Sequence, residues 1–300
     1  MAAHARLHRG ALVVPEEWIE AHCRPTGPPV IVRDRVWATT ARIPTADGDV
    51  WFKNCGPGRI FEADLVAALA RAWPDLLPHV LACDAGRGWL LTADAGTSFD
   101  ELGNPPELWL QLLPRYAELQ REASVPSSAP DRTLARWPEL YDELAAAELP
   151  LEPAEVEDVR RFAPRFAELC AELASHGLPA AVQHDDLHHK NAFVDGDRLR
   201  IVDWGDASLS HPFVSLVVTY RFLEERNGLS AGDPWFAKLR DAYLEPWGQG
   251  LVPAFELAQR LGRFAHAFGW ISLRPLLPAE TRAAYDQPFR VVLRRALALA

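Results

Sequence analysis

The sequence predicts an α+β fold with two lobes, in which a small antiparallel sheet precedes a larger and mainly helical part. Short β-rich segments separated by turn residues occupy the first third of the chain, and helical periodicity dominates the remainder. The length of 300 residues exceeds what a minimal core requires and suits two closely joined lobes. We expect the first lobe at residues 1–95 and the second at 96–300, with a hinge at about 93–104.

The composition is that of an ordinary soluble protein, with 49% hydrophobic and 24% charged residues. The net charge of −10 argues against nucleic acid or an anionic membrane as a partner, and mildly favours a neutral or cationic ligand. No stretch approaches the roughly 20 apolar residues that cross a membrane, and the apolar run at residues 11–15 is too short for a signal-peptide core. The four cysteines are scattered, which indicates a reducing compartment. We therefore expect a cytoplasmic protein.

After a short predicted helix at residues 16–20, the first lobe contains five segments of strand character. These segments are residues 30–32, 36–43, 50–53, 79–83 and 88–92, with Asp-Gly turn chemistry before the third. Because side chains alternate along a strand, Trp51 and Lys53 face one side of the sheet, away from Phe52. A solvated surface lysine would give the same pattern, since lysine is mostly exposed.

The segment that follows the third strand bears on this lysine. Residues 59–73 carry an apolar stripe at helical spacing, with Glu62 at its edge. Asp64 competes for the same role, but it lies about 200° further round a helix of 3.6 residues per turn. Lys53 and Glu62 are therefore the candidate ion pair of the first lobe.

The second lobe begins near Asn104, which we predict to cap the helix that starts at the following two prolines. Helical periodicity then recurs to the end of the chain, and residues 208–212 are predicted to form a loop. Residues 139–158 contain eight acidic side chains and neither lysine nor arginine. A solvated helical face is the favoured interpretation of this window, and an acidic wall for an amine-bearing substrate is the alternative.

Residues 183–206 carry the chemistry. They contain His-x-Asp-Leu-x-x-x-Asn, from His184 through Asp186 to Asn191, and Asp-Trp-Gly begins at Asp203. Two short β-like segments joined by an Asp-Gly turn predict a hairpin that brings Asn191 beside Asp203. Two oxygen ligands suit a hard ion such as Mg²⁺, and the carboxylate of Asp186 can accept a proton from an attacking hydroxyl. This spacing is that of a kinase catalytic loop and its metal-binding aspartate.

The loop resembles that of the aminoglycoside phosphotransferase family, small-molecule relatives of protein kinases whose loop typically reads His-Gly-Asp-Leu-His-x-x-Asn. His188 fits this version better than the protein-kinase version. The glycine-rich loop of protein kinases is absent from residues 35–41, as it often is in this family, so backbone amides or the hydroxyls of Thr39 and Thr40 are candidates to cover the phosphates. The resemblance implies a protein kinase-like fold and transfer of phosphoryl from ATP, or GTP, to a small-molecule hydroxyl.

The resemblance also implies roles for residues on the nucleotide side. Lys53, held by Glu62, would position the phosphates of the nucleotide. Ala93 and Ala95, in the connection between the lobes, would contact the adenine through backbone groups. An ordinary turn would give the same local sequence at these two alanines.

In the second lobe, the resemblance implies that Asp186 is the catalytic residue and that Asn191 and Asp203 bind Mg²⁺. His184 and His188 would have supporting roles, with His184 steadying the segment around Asp203. Family members commonly have an aspartate near the position of Ser215 that braces the catalytic loop. Serine at this position predicts a less firmly held loop.

Two other functions use the same residues. A metal-dependent hydrolase would use the histidine and aspartate side chains of the loop as zinc or iron ligands. This cluster would comprise His184, Asp185, Asp186, His188 and His189. A kinase-fold protein could also bind nucleotide without turnover. Among phosphotransferases, the resemblance allows aminoglycosides, sugars, amino sugars, choline-like alcohols and homoserine as acceptors, and the fold does not choose among them.

Overall fold

Five strands of the first lobe form one antiparallel sheet in the computed structural model, which describes residues 13–126, 128–230 and 232–298. They are β1 (Val30–Arg35), β2 (Ala38–Thr45), β3 (Gly48–Cys55), β4 (Val80–Asp84) and β5 (Trp89–Ala93). Their order is β1-β2-β3-β5-β4, and each predicted segment overlaps one of them. Of the apolar run considered as a signal-peptide core, residues 11 and 12 lie outside the described residues.

The two faces of this sheet have different partners. Phe52 of β3 is fully buried in an outer cluster together with Ile19 of the short helix α1 (Glu16–Glu20). Burying a phenylalanine side chain contributes about 1.5–3 kcal/mol, so this contact holds α1 against the sheet. Lys53 points to the opposite face, as strand alternation predicts, and lines a cleft next to helix α2 (Phe61–Ala72).

Seven longer helices make up most of the second lobe. They are α3 (Pro106–Glu122), α4 (Trp137–Ala146), α5 (Pro153–Ala174), α6 (Leu216–Asn227), α7 (Pro234–Leu244), α8 (Val252–Leu273) and α9 (Ala279–Leu297). An aromatic cluster joins three of them, since the ring of Tyr141 lies 4.3 Å from that of Phe166 and 5.2 Å from that of Phe264. All three rings are buried, which fixes α8 against α4 and α5.

Short strands carry the functional loop. They are β6 (Thr97–Ser98), β7 (Ala181–Gln183), β8 (Ala192–Asp195), β9 (Arg198–Ile201) and β10 (Ser208–Ser210). Strands β8 and β9 form the predicted hairpin, and β6 pairs with β8 on its other side. A Cβ on Gly96, whose φ is +97°, would lie 2.1 Å from the carbonyl oxygen of Val194. Only glycine therefore allows the connection after β5 to approach this hairpin.

The predicted α+β class, with an antiparallel sheet followed by a larger helical lobe, is confirmed, but two local predictions are wrong. Asn104 does not cap α3, because its backbone is left-handed with φ of +59° and the N-cap position falls on the extended Pro105. The Asn104 side chain instead accepts a hydrogen bond from Trp109 Nε1 at 2.7 Å. The predicted loop at 208–212 contains β10, which pairs with buried β7.

No helix within the described ranges combines the length and the apolar character needed to cross a membrane.

Candidate active site

The predicted catalytic loop, residues 184–191, connects β7 to β8 and is anchored by a hydrogen bond from α6. Its apolar residue Leu187 is fully buried. The Oγ1 of Thr219, in the second turn of α6, donates to the carbonyl oxygen of Leu187 at 2.7 Å. Helix α6 therefore fixes the position of the loop backbone at Leu187.

Asp185 stands where the related loops have glycine, and its backbone is left-handed with φ of +59°. Glycine adopts this conformation freely, and aspartate is among the few other residues that tolerate it. The Asp185 carboxylate accepts a hydrogen bond from Ser208 Oγ at 2.7 Å and forms an ion pair with Arg132 at 3.3 Å. These contacts offset the backbone strain and fix the start of the loop.

The predicted catalytic residue Asp186 lies between two other predicted residues. Its Oδ2 is 3.3 Å from His188 Nε2 and 3.4 Å from Asn191 Nδ2. Asn191 Nδ2 also donates to the backbone oxygen of Asp186 at 2.9 Å. Since the amide nitrogen is used inside the loop, the amide oxygen of Asn191 is the atom that could bind a cation.

Asp203 follows the end of the hairpin in a left-handed conformation with φ of +63°. Its Oδ1 accepts from Lys53 Nζ at 2.5 Å, and its Oδ2 accepts from Arg33 Nη1 at 3.2 Å. Burial by itself would raise the pKa of Asp203, but the charge of Lys53 outweighs burial and holds this pKa well below its usual value. The backbone N–H of Val202 donates to the Asn191 carbonyl at 3.0 Å, so the hairpin does bring Asn191 and Asp203 together.

Lys53 is shared between two carboxylates, because its Nζ also donates to Glu62 Oε1 at 2.6 Å. Glu62 is only 1% exposed. Burial alone would lower the pKa of Lys53, but the charges of Asp203 and Glu62 raise it, so the side chain remains an ammonium. A Cβ on Gly205 would lie 3.0 Å from Glu62 Oε2, so the glycine lets the segment after Asp203 approach this pair.

Two further contacts lie at the start of α2. One involves Asp64, the alternative to Glu62 as the partner of Lys53, and the other is an ion pair that the sequence did not predict. Asp64 does not reach Lys53, and its carboxylate accepts from Ser128 Oγ at 3.2 Å. Arg59, which is buried, forms an ion pair with Asp206 and so ties the beginning of α2 to the segment after Asp203. Nothing in the local sequence indicates this pairing, because the two residues are 147 positions apart.

A buried hydrogen-bond network replaces the aspartate expected near Ser215. The hydroxyl of Tyr116 accepts from the backbone N–H of His184 at 3.1 Å and lies 2.9 Å from Ser215 Oγ. Ser215 Oγ in turn donates to Gln183 Oε1, and Gln120 Nε2 donates to Ser215 Oγ at 3.2 Å. The expectation of a loosely held loop is therefore wrong, since Tyr116 supplies the contact and a short serine leaves room for it.

The loop histidines do not converge as metal ligands. His184 is fully buried; its Nε2 lies 2.9 Å from the Val202 carbonyl, and its Nδ1 accepts from the backbone N–H of Asp186 at 3.3 Å. Burial lowers the pKa of His184 and keeps its ring neutral. Within residues 13–126, 128–230 and 232–298, no group of three or more histidine, cysteine, aspartate or glutamate side chains could hold a metal ion. His184 instead joins the catalytic loop to the segment before Asp203.

The cleft between the sheet and the catalytic hairpin has a volume of about 590 Å³. Its apolar lining includes Val32, Val66, Leu90, Phe193 and Ile201. Lys53, Asn191 and Asp203 lie in the same cleft. A mostly apolar cavity with a few convergent charged groups is typical of a ligand site of this size.

Ala93 and Ala95, the predicted adenine contacts, both line this cleft. The N–H of Ala93 donates to the His79 carbonyl at 2.8 Å, so only its carbonyl oxygen remains for a ligand. Between them, Asp94 Oδ2 accepts from Trp51 Nε1 at 2.7 Å, which ties the connection to β3. The sequence did not indicate a role for Asp94.

Thr39 and Thr40, whose hydroxyls are proposed to donate hydrogen bonds to the phosphates, differ in whether they face the cleft. Thr39 is buried and its hydroxyl donates to Asp34 Oδ1 at 2.7 Å, so it does not face the cleft. Thr40 does line the cleft. Arg33, for which no sequence pattern indicated a role, also lines the cleft and reaches Asp203 from β1.

A second cavity, of about 780 Å³, lies in the helical lobe and is lined by residues of α6, α7, α8 and α9. Its charged lining residues comprise five arginines and three carboxylates. These are Arg221, Arg240, Arg260, Arg263 and Arg295, against Glu224, Asp233 and Glu256. The cavity is thus locally basic in a chain whose net charge is −10.

The acidic window at 139–158 does not form a wall of this cavity or of the cleft. Glu155 instead pairs with Arg294 at 2.6 Å, and Glu148 lies 3.5 Å from Arg274. The favoured interpretation, a solvated face, is therefore confirmed, and the alternative of an acidic substrate wall is wrong. The window is an outer surface that binds arginines of the C-terminal part.

The model of the phosphotransferase enzyme family matches residues 61–260, which include the catalytic loop and Asp203. No curated protein sequence matches this chain.

Several solved structures have the same fold. A choline/ethanolamine kinase family protein from Mesorhizobium loti is 20% identical with a TM-score of 0.64, and the match covers 97% of this chain and 96% of that one. The choline kinase of Streptococcus pneumoniae is 13% identical with a TM-score of 0.65, covering 95% and 98%. A macrolide 2′-phosphotransferase from Brachybacterium faecium is 16% identical with a TM-score of 0.62, covering 93% and 96%. At these identities the likeness concerns the fold.

Proposed function

This chain belongs to the phosphotransferase enzyme family, and from that premise we propose that it transfers the terminal phosphoryl group of ATP, with GTP as the alternative donor, to a hydroxyl of a small molecule. The observation that carries the proposal is the 2.5 Å contact between Lys53 and Asp203, with Glu62 on the other side of the lysine. It joins residues 150 positions apart into the charge arrangement that phosphoryl transfer requires.

On the nucleotide side, Lys53 binds the phosphates while Glu62 holds its ammonium in place. Arg33 acts as a second cation that binds the phosphates, because it extends from β1 into the cleft as far as Asp203. Its side chain thus takes the place of the glycine-rich loop that this chain lacks. The adenine lies against the apolar walls of the cleft and meets the Ala93 carbonyl and the Ala95 N–H. Residues 93–104 form the hinge between the lobes 1–95 and 96–300.

The residues at the end of the hairpin fit a magnesium ion. Asn191 offers an amide oxygen and Asp203 an ionised carboxylate, which are hard oxygen donors of the kind that Mg²⁺ prefers. Bound there, Mg²⁺ would neutralise charge that develops on the transferred phosphoryl group. Lys53 and Arg33, which contact Asp203 in this structure, would keep that carboxylate oriented.

Asp186 acts on the acceptor. Its carboxylate orients the hydroxyl and takes its proton as the oxygen–phosphorus bond forms and the bond between the β- and γ-phosphates breaks, releasing the nucleoside diphosphate. His188 and Asn191 hold the Asp186 side chain from two sides, and the Tyr116 hydroxyl holds the backbone of His184 two residues before it. This reduces the motion that would misplace the base.

The hydrolase alternative is disfavoured by the orientation of the loop residues. His184 is bonded to the Val202 carbonyl, and Asp185 is bonded to Arg132 and Ser208. These side chains therefore do not point to a common centre. The binding protein without turnover remains a distinct outcome of the experiment below.

The proposal is tested by ATP consumption with a panel of hydroxyl compounds, in the presence of Mg²⁺ and after its chelation. Asp186→Asn should lower turnover by roughly 10²–10⁴-fold while nucleotide affinity stays within about twofold, because the amide cannot take the proton. Asp197→Asn is the matched control, since it removes one exposed carboxylate at the tip of the same hairpin.

Unchanged turnover in Asp186→Asn would contradict the assignment of the base. Tight nucleotide binding without consumption of ATP in the presence of any acceptor would favour the non-catalytic alternative. Activity that survives chelation of Mg²⁺ and needs added zinc would favour the hydrolase.

A further inference from the structure

The basic cavity of the helical lobe holds two partly buried arginines, Arg221 and Arg263, that form no ion pair with a described carboxylate. Nε of Arg221 is buried and has no hydrogen-bond partner. Among the described side chains, no carboxylate oxygen lies within 4.0 Å of the guanidinium nitrogens of Arg221 or Arg263. Arg263 makes a long contact of 3.4 Å with the backbone oxygen of Arg295.

The other charges of the cavity are largely committed. Arg240 lies 2.8 Å from Asp241 and 3.6 Å from Glu256, and Arg295 pairs with Glu225 at 2.8 Å. Arg221 of α6 and Arg263 of α8 are therefore cavity arginines with no ion pair among the described side chains. Burial lowers the pKa of both arginines, and the charges of Glu225 on Arg221 and of Glu224 on Arg263 raise it only in part.

Arg221 also connects the cavity to the catalytic aspartate. Its guanidinium carbon lies 4.6 Å from the centre of the Phe222 ring, and the same ring contacts His188 at 4.6 Å. His188 Nε2 is 3.3 Å from Asp186 Oδ2. Asp186 is close enough to Arg221 for its charge to raise the pKa of that arginine against the effect of burial.

A second residue of the cavity lining makes the same connection. His266 of α8 lines the cavity beside Arg263, and the charges of Asp186 and Arg221 both act on its ring. Burial lowers the pKa of His266, and the charge of Arg221 lowers it further. The ring therefore stays neutral and adds no charge to the cavity. The arginines then determine whether the cavity attracts an anion or a cation.

From this geometry we propose that the acceptor carries an anionic group, a carboxylate or a phosphate, which Arg221 and Arg263 bind while its hydroxyl reaches Asp186. The inference rests on the proposed phosphotransferase function and names the substrate class of that site. A partly buried guanidinium without an ion-pair partner is unfavourable, and a planar anion can offset this cost with two parallel charge-assisted hydrogen bonds. The cavity has a volume typical of small-molecule sites, and the rings of Tyr220 and Phe236 line it for the body of the ligand.

This assignment differs from the one that the overall charge suggests. A net charge of −10 favours a neutral or cationic ligand, and an amine would be attracted to the protein at long range. Inside the cavity, however, the same amine would meet Arg221, which has no carboxylate within ion-pair distance among the described side chains. Local desolvated charge outweighs the screened charge of the outer surface, so the acceptor bound next to Asp186 is the anion.

The test uses acceptors that share one skeleton and differ in one charged end. One set is D-gluconate, D-glucitol and D-glucamine, and a second is glycerate, glycerol and 3-amino-1,2-propanediol. Phosphoryl transfer from ATP is measured for each compound, and binding is measured by calorimetry with ADP present, so that binding does not depend on turnover. We expect the carboxylate to exceed its neutral partner at least tenfold in kcat/KM and in affinity in at least one set.

Arg221→Gln and Arg263→Gln should each remove most of that preference, a loss of roughly 10- to 100-fold for the carboxylate, because hydrogen bonds between charged groups are the strongest of their kind. The neutral compound and ADP should bind as before within about twofold. Arg221→Lys should keep part of the preference, since it retains the charge without the planar fork. Arg165→Gln, on an exposed face of α5, is the control for the loss of one positive charge.

Two results separate this inference from the phosphotransferase proposal. If neutral or cationic members are phosphorylated as well as or better than their carboxylates, or if no carboxylate binds more tightly than its neutral partner, the inference is overturned and the phosphotransferase function stands. If carboxylates bind through Arg221 but none of the compounds is ever phosphorylated, the anion site is supported and the phosphotransferase proposal fails.

Discussion

The cleft and the basic cavity differ in how their charges are balanced. In the cleft, Lys53 is neutralised by Glu62 and Asp203, and Arg33 completes the set within 3.2 Å. In the cavity, Arg221 has no paired carboxylate among the described side chains, although it belongs to an acidic protein. In the cleft, charges of opposite sign within the protein neutralise one another and can serve phosphoryl transfer with any acceptor. In the cavity, an arginine that pairs with no described carboxylate favours a ligand that carries the opposite charge. We therefore assign catalysis to the cleft and selection of the acceptor to the cavity.

Breaking the internal balance of the cleft should have the largest effect. Lys53→Met leaves Glu62 buried without its counter-ion, so we expect a loss of about 3–5 kcal/mol in the free energy of unfolding. It should also lower kcat/KM for ATP by roughly 100-fold or more. Chemical denaturation and steady-state kinetics measure the two effects. The double variant Lys53→Met with Glu62→Gln should recover stability but not activity; a fully active Lys53→Met would contradict the role of the lysine.

Acid should destabilise the cleft and the second lobe over different pH ranges, although the pKa of one group is lowered in each. The stability that Asp203 contributes is lost only below about pH 4, where an unfolded aspartate takes up a proton. The lowered pKa of Asp203 keeps the cleft charged, whereas burial lowers the pKa of His211, in the second lobe, to about 3. Since the unfolded histidine has a pKa of about 6.5, the unfolded chain takes up a proton first, and stability is lost as the pH falls from about 6.5 towards 3.

Between pH 6.5 and 5 this loss should be about 2 kcal/mol for His211 alone. In His211→Asn, the free energy of unfolding should fall by about 2 kcal/mol less between pH 6.5 and pH 5 than in the unaltered protein. At pH 8 the free energies of unfolding of the two proteins should differ by less than this amount. Urea denaturation at several pH values provides the measurement. An acidic limb of equal slope in both proteins would show that His211 does not titrate in this way.

Removing the outer cation of the cleft should have a moderate effect. Arg33→Gln should weaken nucleotide binding by roughly tenfold, because one charge-assisted contact to the phosphates is lost, and should leave acceptor binding unchanged. Calorimetry with a non-hydrolysable ATP analogue measures it. Arg35→Gln, two residues along the same exposed strand, is the matched control; equal losses in both variants would mean a general surface-charge effect.

Removing the hydroxyl of Tyr116, which holds the start of the catalytic loop, should give the smallest effect. Tyr116→Phe leaves the N–H of His184 without its acceptor and should lower the free energy of unfolding by about 1 kcal/mol. It should lower kcat without changing the affinity for nucleotide, since Tyr116 holds the catalytic loop and not the ligand. Tyr285→Phe serves as the comparison. A kcat equal to that of the unchanged protein would assign Tyr116 a purely structural role.

The sequence was most informative about the cleft. The catalytic loop, the hairpin and the strand with Lys53 are short segments whose spacing is set by local geometry, and the structure brings Lys53, Glu62, Asn191 and Asp203 into one cleft. Strand alternation was sufficient to orient Lys53. Arg33 was missed because a register shift between residues 31 and 33 of β1 changes which side chains face the cleft.

The cavity could not be predicted from the sequence for a different physical reason. Its lining comes from four helices, and Arg221 and Arg263 meet only because α6 and α8 pack together. The acidic window at 139–158 was the visible charge feature, yet it lies outside both sites. Similarly, the serine at 215 suggested a weak brace because its partner Tyr116 is 99 residues away. Long-range packing, which leaves no local pattern, determines these features.

The central claim is that nucleotide and acceptor occupy separate sites that meet at Asp186, and a crossed binding measurement tests it most directly. The affinities for ADP and for D-gluconate or glycerate, whichever binds the unaltered protein, are compared between Arg33→Gln and Arg221→Gln. We predict that Arg33→Gln weakens only ADP binding and that Arg221→Gln weakens only carboxylate binding, each by roughly tenfold or more. Loss of both ligands in either variant, or loss of neither in Arg221→Gln, would contradict the account.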